Sequence, residues 1–470
     1  HLTRDNGKTW TNITPPELPE SNVHSIEVSR HDKATVYVSA TRYKFNDFAS
    51  YTFKSTDYGA HWTRIATGVQ ADDFIKVIRE DLQVKDLLYA GAERGFYISN
   101  NGGRNWNRFQ LNLPVVPVTD LVIHDNDLVA STAGRAFWIL DDLGAIQQSK
   151  GEFGSAAVKV FRPKPTWRVS GPPAYLAAMG VELTGIGQNP SEGVLIDYYL
   201  REKADTAVVK LRILDASGKL LRTYSSKRDE GFKPYPGGPP APLVLPSAAG
   251  VNRFAWDFRV EAMADVPGVF VYGDYRGHRV APGRYVARMS YRGESSETEF
   301  EVVQDPRLKV VPADWAEQQR LITTVEDAIS GMHRSVNGMR KVKKQLESHQ
   351  ELLRTDPDAK ELNEAGRKLI KSITEWEGNI IEPRSKNGQD VINWPNKLNS
   401  EFMNVRSSLD THDPRVTGGA RARLADLQTE WTRLRRELDR LNAEVEKYNR
   451  QYREKNYPAV ITDKKEQEMN

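Results

Sequence analysis

The chain has 470 residues, with 66 Lys and Arg against 63 Asp and Glu, a formal net charge of +3 and no cysteine. A chain of this length holds several domains, and its interspersed charges disfavour nucleic acid as a partner, because nucleic-acid binding requires a concentrated basic surface. The lack of cysteine excludes disulfides, thiolate metal sites and cysteine nucleophiles, and no run approaches the roughly 18 apolar residues of a membrane span.

An eight-residue motif occurs three times in the first quarter of the chain. The copies are TRDNGKTW at 3–10 (box 1), STDYGAHW at 55–62 (box 2) and SNNGGRNW at 99–106 (box 3). All fit the pattern S/T-x-D/N-x-G-x-x-W. Their third residues, Asp5, Asp57 and Asn101, are 52 and 44 residues apart. This spacing is close to the ~40–45 residues of a four-stranded propeller blade.

The residue types in the boxes predict a turn clamp. Asp or Asn accepts hydrogen bonds from the turn backbone, Gly supplies a positive φ angle, and Trp packs its ring beneath the hairpin. We therefore expect exposed turns at equivalent blade positions, with the three tryptophans partly buried. The predicted structural residues are Thr3, Asp5, Gly7, Trp10, Ser55, Asp57, Gly59, Trp62, Ser99, Asn101, Gly103 and Trp106.

The boxes, together with FIKVIRED, LLYAGAERGFYIS and GRAFWILDD, resemble the last blades of bacterial sortilin-like or BNR-repeat (Asp-box) β-propeller proteins. The resemblance implies propeller blades over residues 1–145. Relatives of this type are often labelled glycosyl hydrolases. Their closing segment usually carries a histidine before the Gly-Arg pair, whereas this chain has Ala133 before Gly134 and Arg135.

The number of boxes predicts an incomplete ring. Three boxes correspond to three or four blades, whereas closed propellers need roughly 4–8. We therefore expect residues 1–145 to form a ring with missing N-terminal blades, from a preceding segment of the same or a cleaved polypeptide. Because box 1 begins at Thr3, directly after His1 and Leu2, we expect the polypeptide to start elsewhere.

Two pairs of adjacent acids are the free-standing candidates for acid–base chemistry. They are Asp72 with Asp73 and Asp141 with Asp142. Adjacent residues on an extended chain point to opposite sides, so neither pair is automatically a catalytic dyad. We interpret these residues as turn and strand-end caps, and we predict no catalytic residue, no metal ligand and no cofactor.

Short alternating strands and Pro- and Gly-rich loops follow, and they predict an Ig-like β-sandwich over residues 146–308. The strands resemble the immunoglobulin-like domain of flagellar hook-capping and other secreted bacterial proteins, which implies a spacer or docking module. Asp215 to Gly218 is predicted to be a hairpin turn and Trp256 a core residue. The loop from Glu230 to Leu245 is either a recognition loop or an ordered connection over a sheet edge.

The last part, residues 309–470, is charged and periodic, and it predicts an antiparallel helical bundle. The expected helices are Ala313 to Arg354, Pro357 to Ile381, one opened by Trp394 and Pro395, and one with an apolar stripe from Leu424 to Tyr448. Three tryptophans are expected in the core rather than in a ligand cage: Trp315, Trp376 and Trp431.

The predicted architecture is therefore multidomain β plus α, and two classes of function are open. The first is a non-catalytic protein- or peptide-binding scaffold component of an extracytoplasmic assembly, secreted, periplasmic or at the cell surface. The second is a glycoside hydrolase whose catalytic carboxylates lie mostly in the missing blades. We favour the first, because no residue set supplies a nucleophile, an oriented base and an oxyanion or metal site together.

Overall fold

The computed structural model describes residues 1–149, 153–169, 191–204 and 207–455. Three antiparallel sheets come first. Sheet 1 contains β1 (Asn22–Val28), β2 (Val36–Arg42), β3 (Asp47–Ser55) and β4 (Thr63–Arg64). Sheet 2 contains β5 (Ile75–Glu80), β6 (Leu88–Ala92), β7 (Phe96–Ser99) and β8 (Asn107–Arg108). Sheet 3 contains β9 (Val118–His124), β10 (Asp127–Thr132) and β11 (Phe137–Leu140).

The three sheets are stacked, with sheet 2 in the middle. Strand β5 packs against β1 and β2 on one side and against β9 on the other. Neighbouring residues of sheet 2 therefore point into two different cores: Leu88 packs towards sheet 1 and Tyr89 towards sheet 3. Burial on both faces explains why the strands of sheet 2 are continuous apolar runs rather than alternating ones.

A short helix and two further sheets follow. Helix α1 is Gly144–Ser149. Sheet 4 contains β12 (Val158–Val160), β14 (Val194–Leu200) and β17 (Gly250–Trp256). Sheet 5 contains β13 (Thr166–Arg168), β15 (Lys210–Asp215), β16 (Leu220–Ser225), β18 (Gly283–Tyr291) and β19 (Glu294–Gln304).

Sheets 4 and 5 enclose one apolar core. Trp256 is fully buried in it, and its ring contacts those of Tyr285 and Phe300 edge-on. The prediction of Trp256 as a core residue is thus confirmed. The predicted turn between β15 and β16 is also confirmed, because the backbone N–H of Gly218 donates to the carbonyl oxygen of Asp215 at 3.0 Å.

The Pro- and Gly-rich loop between β16 and β17 is tied to its surroundings. The Tyr235 hydroxyl donates to a carboxylate oxygen of Asp265 at 2.6 Å. At the end of the loop, Leu245 is buried and its N–H donates to the carbonyl oxygen of Ser225 at 3.0 Å. These contacts favour the ordered connection among the two interpretations of the loop.

Four helices complete the described chain. They are α2 (Pro312–Leu352), α3 (Lys360–Ile380), α4 (Leu398–Leu409) and α5 (Gly418–Glu454). Trp376 and Trp431 are buried in their common core, and Trp315 is buried at the junction with sheet 5, where its indole N–H donates to Gln304. The expected burial of these three tryptophans is confirmed. Within the described ranges, no helix combines the length and the apolar character needed to cross a membrane.

The helices are not four side-by-side columns, as a simple antiparallel bundle would require. Gln350 near the end of α2 bonds to Asn363 near the start of α3, whereas Gln318 near the start of α2 bonds to Leu409 at the end of α4. Helices α3 and α4 therefore lie end to end along α2, both antiparallel to it. At 1.5 Å per residue, α3 and α4 span ~32 and ~18 Å, and together with their linker they match the ~62 Å of α2.

Helix α5 and a loop between two strands cover the remaining sides of the helix core. Arg421 and Glu317 pair at 2.7 Å near the starts of α5 and α2, so these long helices run in the same direction. Residues 260–280, here called the strap, join β17 to β18 and cover α2 and α4. The strap places Val266 and Tyr275 in the helix core, which is separate from the core between sheets 4 and 5, so the connection between two sheet strands belongs to the helical part.

Five ionisable side chains are buried where the strap meets the helices. One Glu326 oxygen accepts from Arg406 at 2.8 Å, and the other lies 2.7 Å from His278. Arg259 donates to Asp410 at 3.0 Å. Each of the five side chains is at most 9% exposed. Because buried charges require partners, this network holds the strap, α2 and α4 in one arrangement.

We predict that Arg406→Leu destabilises the protein by about 3–5 kcal/mol, because it leaves Glu326 and Asp410 buried with too few cations. Urea unfolding followed by circular dichroism measures the effect. The control is Arg433→Leu, which breaks an exposed pair with Glu437 on α5 and should cost less than about 1 kcal/mol. Equal, small effects of the two substitutions would contradict a structural role for the network.

Candidate functional site

The three boxes form the same hydrogen-bonded turn. The first-position hydroxyl accepts from the glycine N–H at 2.8 Å in box 1 and 2.9 Å in boxes 2 and 3. It also donates to the third-position oxygen at 2.9, 2.8 and 3.0 Å. That oxygen accepts from the backbone N–H four residues later at 2.8, 2.9 and 3.0 Å. The polar box residues therefore serve the turn itself.

The turn also changes the acidity of its carboxylate. The backbone N–H of His61 is the main cause that lowers the pKa of Asp57 to about 2, followed by the side chains of His61 and Ser55. Because the pKa is lower in the folded than in the unfolded chain, this contribution to stability is present at neutral pH and is lost as the pH falls towards 2. A carboxylate held in this way is a poor proton donor at neutral pH.

The tryptophans of boxes 2 and 3 dock on the segment that follows the preceding box. The indole of Trp62 donates to the carbonyl oxygen of Ile13 at 2.9 Å, and that of Trp106 donates to Ile65 at 2.8 Å. Each of these carbonyls lies three residues after the tryptophan of the preceding box. Trp106 is 2% exposed, but Trp10 is 60% exposed, so the expected burial of Trp10 is wrong. Box 1 has no preceding box in this chain on which its tryptophan could dock.

The pair Asp72 and Asp73 does not form a dyad. Asp73 is fully buried and accepts hydrogen bonds from the Arg94 N–H at 2.8 Å and the Tyr97 hydroxyl at 2.9 Å. Asp72 is exposed and pairs with the Arg94 guanidinium. Both residues therefore anchor the turn between β6 and β7.

The second pair also anchors local structure. A carboxylate oxygen of Asp142 accepts from the N–H of Gly144 at 2.9 Å and from the Asn126 amide at 3.1 Å, which fixes the start of α1. Burial raises the pKa of the neighbouring Asp141. The carbonyl oxygen of Asp141 accepts from Arg253 of sheet 4 at 2.6 Å, so this segment joins sheets 3 and 4.

Sequence reasoning missed a pair of glutamates between sheets 1 and 2. Glu27 accepts from the Glu80 N–H at 3.3 Å, and burial raises the pKa of Glu27. Glu80 is 2% exposed, and its second carboxylate oxygen has no hydrogen-bond partner among the described residues. The sequence did contain a signal for this pair, because Glu80 stands in the predicted strand FIKVIRE on a face that is buried. The described ranges contain no group of three acidic or histidine side chains that could hold a metal.

The outer edge of sheet 3 is open. The N–H of Thr132 donates to the carbonyl of Ala136 at 3.1 Å. In an antiparallel pair every second residue is hydrogen-bonded to the partner strand, so this bond shows which residues of β11 bond to β10. It follows that the N–H and C=O groups of Phe137 and Ile139 point away from β10. In sheet 2 the corresponding carbonyl of Phe96 accepts from the Phe109 N–H at 2.8 Å. In sheet 3 no described strand pairs with this edge.

An apolar groove lies beside this edge, between β11 and the loop that follows β8. Its cavity of about 70 Å³ is lined mainly by Phe96, Phe109, Leu113, Leu128, Trp138 and Leu140. Leu111 is exposed at the rim and has a φ of 45°, a left-handed conformation that is unfavourable for leucine. The groove therefore combines unpaired backbone groups with an apolar floor.

The outer faces of the stack are also apolar. On the far face of sheet 3, Phe137 and Ile139 are 75% and 59% exposed, and Val122 is exposed beside them. On sheet 1, Ile26 and Val28 are exposed in the same way. Contiguous exposed apolar residues mark contact surfaces, and here they lie at both ends of the stack.

A scan against protein-family models finds no match, and a search of curated proteins finds none. Solved structures do match. YCF48 bound to D1 peptide is 15% identical, with a TM-score of 0.24, over 29% of this chain and 43% of that chain. YCF48 from Cyanidioschyzon merolae is 16% identical, with a TM-score of 0.20, over 40% and 52%. A GH74 enzyme from Niastella koreensis is 12% identical, with a TM-score of 0.22, over 60% and 38%.

These solved proteins have β-propeller folds. This chain matches less than two thirds of the length of each of them. At TM-scores below 0.5 the likenesses do not decide between binding and catalysis, and the site must be judged from its own geometry.

We predict that Trp106→Phe destabilises the protein by about 1–3 kcal/mol, because it leaves the buried carbonyl of Ile65 without its donor while most of the packing remains. The matched control is Trp10→Phe at the same box position, which should change stability by less than about 0.5 kcal/mol because Trp10 is exposed. Urea denaturation measures both variants. A larger loss for Trp10→Phe would contradict the docking role of the buried indole.

Proposed function

We propose that this chain is a non-catalytic, polypeptide-binding component of an extracytoplasmic assembly. In this proposal sheets 1 to 3 are blades of an Asp-box β-propeller, sheets 4 and 5 form an Ig-like β-sandwich, and the helices form a rigid arm. The observation that carries the proposal is the open edge of β11 together with the apolar groove beside it.

The occupant that fits this edge is an extended peptide of a partner protein, added as a fourth strand. Its backbone would bond to the outward N–H and C=O groups of Phe137 and Ile139. Alternate side chains would enter the groove next to Trp138, because side chains of a strand alternate between its two faces. Sheets 1 and 2 already have short fourth strands, β4 and β8, in the equivalent position.

The edge is held on a rigid platform, which favours specific binding. Arg253 donates to the Asp141 carbonyl and also binds Asp197 at 2.7 Å. Lys164 binds Asp127 of β10 at 2.7 Å. Both contacts lie at the C-terminal end of β11, where Asp127 of β10 is beside Asp141, and they tie sheet 3 to sheet 4 and to the segment between β12 and β13, so an arriving peptide would meet a strand that is already anchored at this end.

We further propose that additional blades, from a preceding segment or another chain, cover the apolar outer faces of sheets 1 and 3. The support is the exposure of Ile26 and Val28 at one end and of Val122 and Phe137 at the other, since open apolar faces favour association. This part of the proposal concerns the side chains on the sheet faces, whereas the peptide-binding edge concerns the backbone groups of β11.

Native mass spectrometry and size-exclusion chromatography of the protein from its source test the ring proposal. We expect a species larger than the 53.2 kDa of this chain, containing further polypeptide with Asp boxes. A monodisperse species of this chain alone, or a simple dimer of it, would contradict the proposal.

The second candidate function is glycoside hydrolysis, and Glu27 is the observation that favours it. A carboxyl group whose pKa is raised by burial can act as a general acid. Its neighbour Glu80 is 2% exposed, so Glu80 could reach a sugar only after a rearrangement of the two sheets. Peptide binding needs no such rearrangement, and it is therefore the function that we propose.

The peptide proposal predicts that Ile139→Pro weakens binding by at least about tenfold, because proline removes an outward N–H of the edge strand. The probe is an array of ten-residue synthetic peptides with apolar residues at alternate positions, and fluorescence anisotropy of the strongest binders gives Kd. The matched control is Ile139→Thr, which retains the N–H and the β-branched shape. It should weaken binding by less than about threefold.

Two results would overturn the proposal. One is that no peptide of the array binds in a manner sensitive to Ile139→Pro, although circular dichroism shows a folded variant. The other is release of reducing ends from polysaccharides by the protein and loss of this release in Glu27→Gln, which would establish the hydrolase function instead.

A further inference from the structure

The break between α3 and α4 opens a cavity of about 550 Å³ in the helical part of the protein. One wall is a face of α2 with Arg340, Lys343 and Lys344, and the opposite wall is the end of α3 around Gly378. The linker after α3 and Lys397, directly before α4, border the cavity, which is open to solvent on one side. A volume of this size falls in the range of about 300–1,000 Å³ typical of small-molecule sites.

The carboxylates of the cavity are largely neutralised by arginines. Arg340 pairs with Glu377 at 2.7 Å. Arg384 forms a bidentate salt bridge with Glu382, in which both hydrogen bonds are 2.7 Å long. The Arg384 side chain is the main cause that lowers the pKa of Glu382. The Arg384 guanidinium also lies 3.9 Å above the ring of Trp394, so its position is fixed from two sides.

Three lysines remain available for a ligand. Lys343, Lys344 and Lys397 have no ion-pair partner in the described part of the chain. With Glu347 as the remaining carboxylate, the lining carries five cations and three anions, a net charge of +2. Like charges gathered in one cavity repel each other, and a bound anion with several negative groups would relieve this repulsion.

We infer that this cavity binds a small soluble anion that carries two or more phosphate or carboxylate groups. Lysine ammonium groups are compact point charges that bind such oxygens without demanding a fixed geometry, and three of them around one space match several anionic groups better than one. The site is in the helical part, at a distance along the chain from the β11 edge, and does not depend on the proposed peptide binding.

Gly378 offers a sharp test. A Cβ atom placed there would meet no atom within 4 Å, so a side chain can begin at this position without a clash. Gly378→Glu and Gly378→Gln introduce nearly the same volume, and both replace a helical glycine by a better helix former. Only the glutamate adds a negative charge, so the pair separates electrostatic exclusion from filling of space.

The experiment is isothermal titration calorimetry with sodium tripolyphosphate and with citrate at constant ionic strength. We expect binding of one anion per chain, weakened at least about tenfold in the double variant Lys343→Gln/Lys344→Gln, and at least about threefold more by Gly378→Glu than by Gly378→Gln. The matched control is Lys368→Gln/Lys371→Gln, two exposed lysines of α3 outside the cavity, which should leave the affinity unchanged.

The inference is overturned if neither anion binds, if the control loses as much affinity as the cavity variants, or if Gly378→Glu and Gly378→Gln behave alike. Binding only to vesicles with anionic phospholipid, without binding of the soluble anions, would also overturn it, because the lysines would then act as a membrane-facing surface. Unfolding curves of each variant establish that a loss of binding is not a loss of fold.

Discussion

Glu326 and Asp410 are buried charges, and the arrangement of the second half of the protein depends on keeping them paired. Their partners are Arg406 of α4, His278 of the strap and Arg259, the residue directly before the strap. Because an unpaired buried carboxylate is costly, α4 cannot leave α2, and the strap cannot leave either helix. The sheets and helices therefore behave as one body at their junction.

This constraint also explains the cavity. Once α4 is held against the first part of α2, and α3 against the last part, the two short helices must be collinear, and the linker of residues 381–397 has to bridge them. A helix break in the middle of a packed layer leaves a space that the flanking side chains fill only partly. In this protein lysine and arginine outnumber the carboxylates among the flanking side chains, which gives the space its positive charge.

In the first part of the chain, the repeated docking of box tryptophans has a comparable role. Trp62 and Trp106 each bond to a carbonyl beyond the preceding box, so sheet 1 is fixed to the segment after box 1 and sheet 2 is fixed to sheet 1. Sheet 3 has no box and packs on sheet 2 through β9. Sheet 3 is followed by α1 rather than by another box, and the described chain provides no outer strand for β11. The open edge that we propose for peptide binding results from this change.

The sequence by itself determined the local structure and much of the burial. The residue types of the boxes specify the turns through short-range hydrogen bonds, and amphipathic periodicity specified the helices and the burial of Trp256, Trp376 and Trp431. Only the tertiary structure decided that Trp10 is exposed, that α3 and α4 share one layer, that Glu27 meets Glu80, and that two lysines of α2 line one cavity with Lys397. Each of these outcomes depends on which distant segment packs against a residue. The periodicity of a sequence indicates that a face is buried, but it does not identify the segment that covers that face.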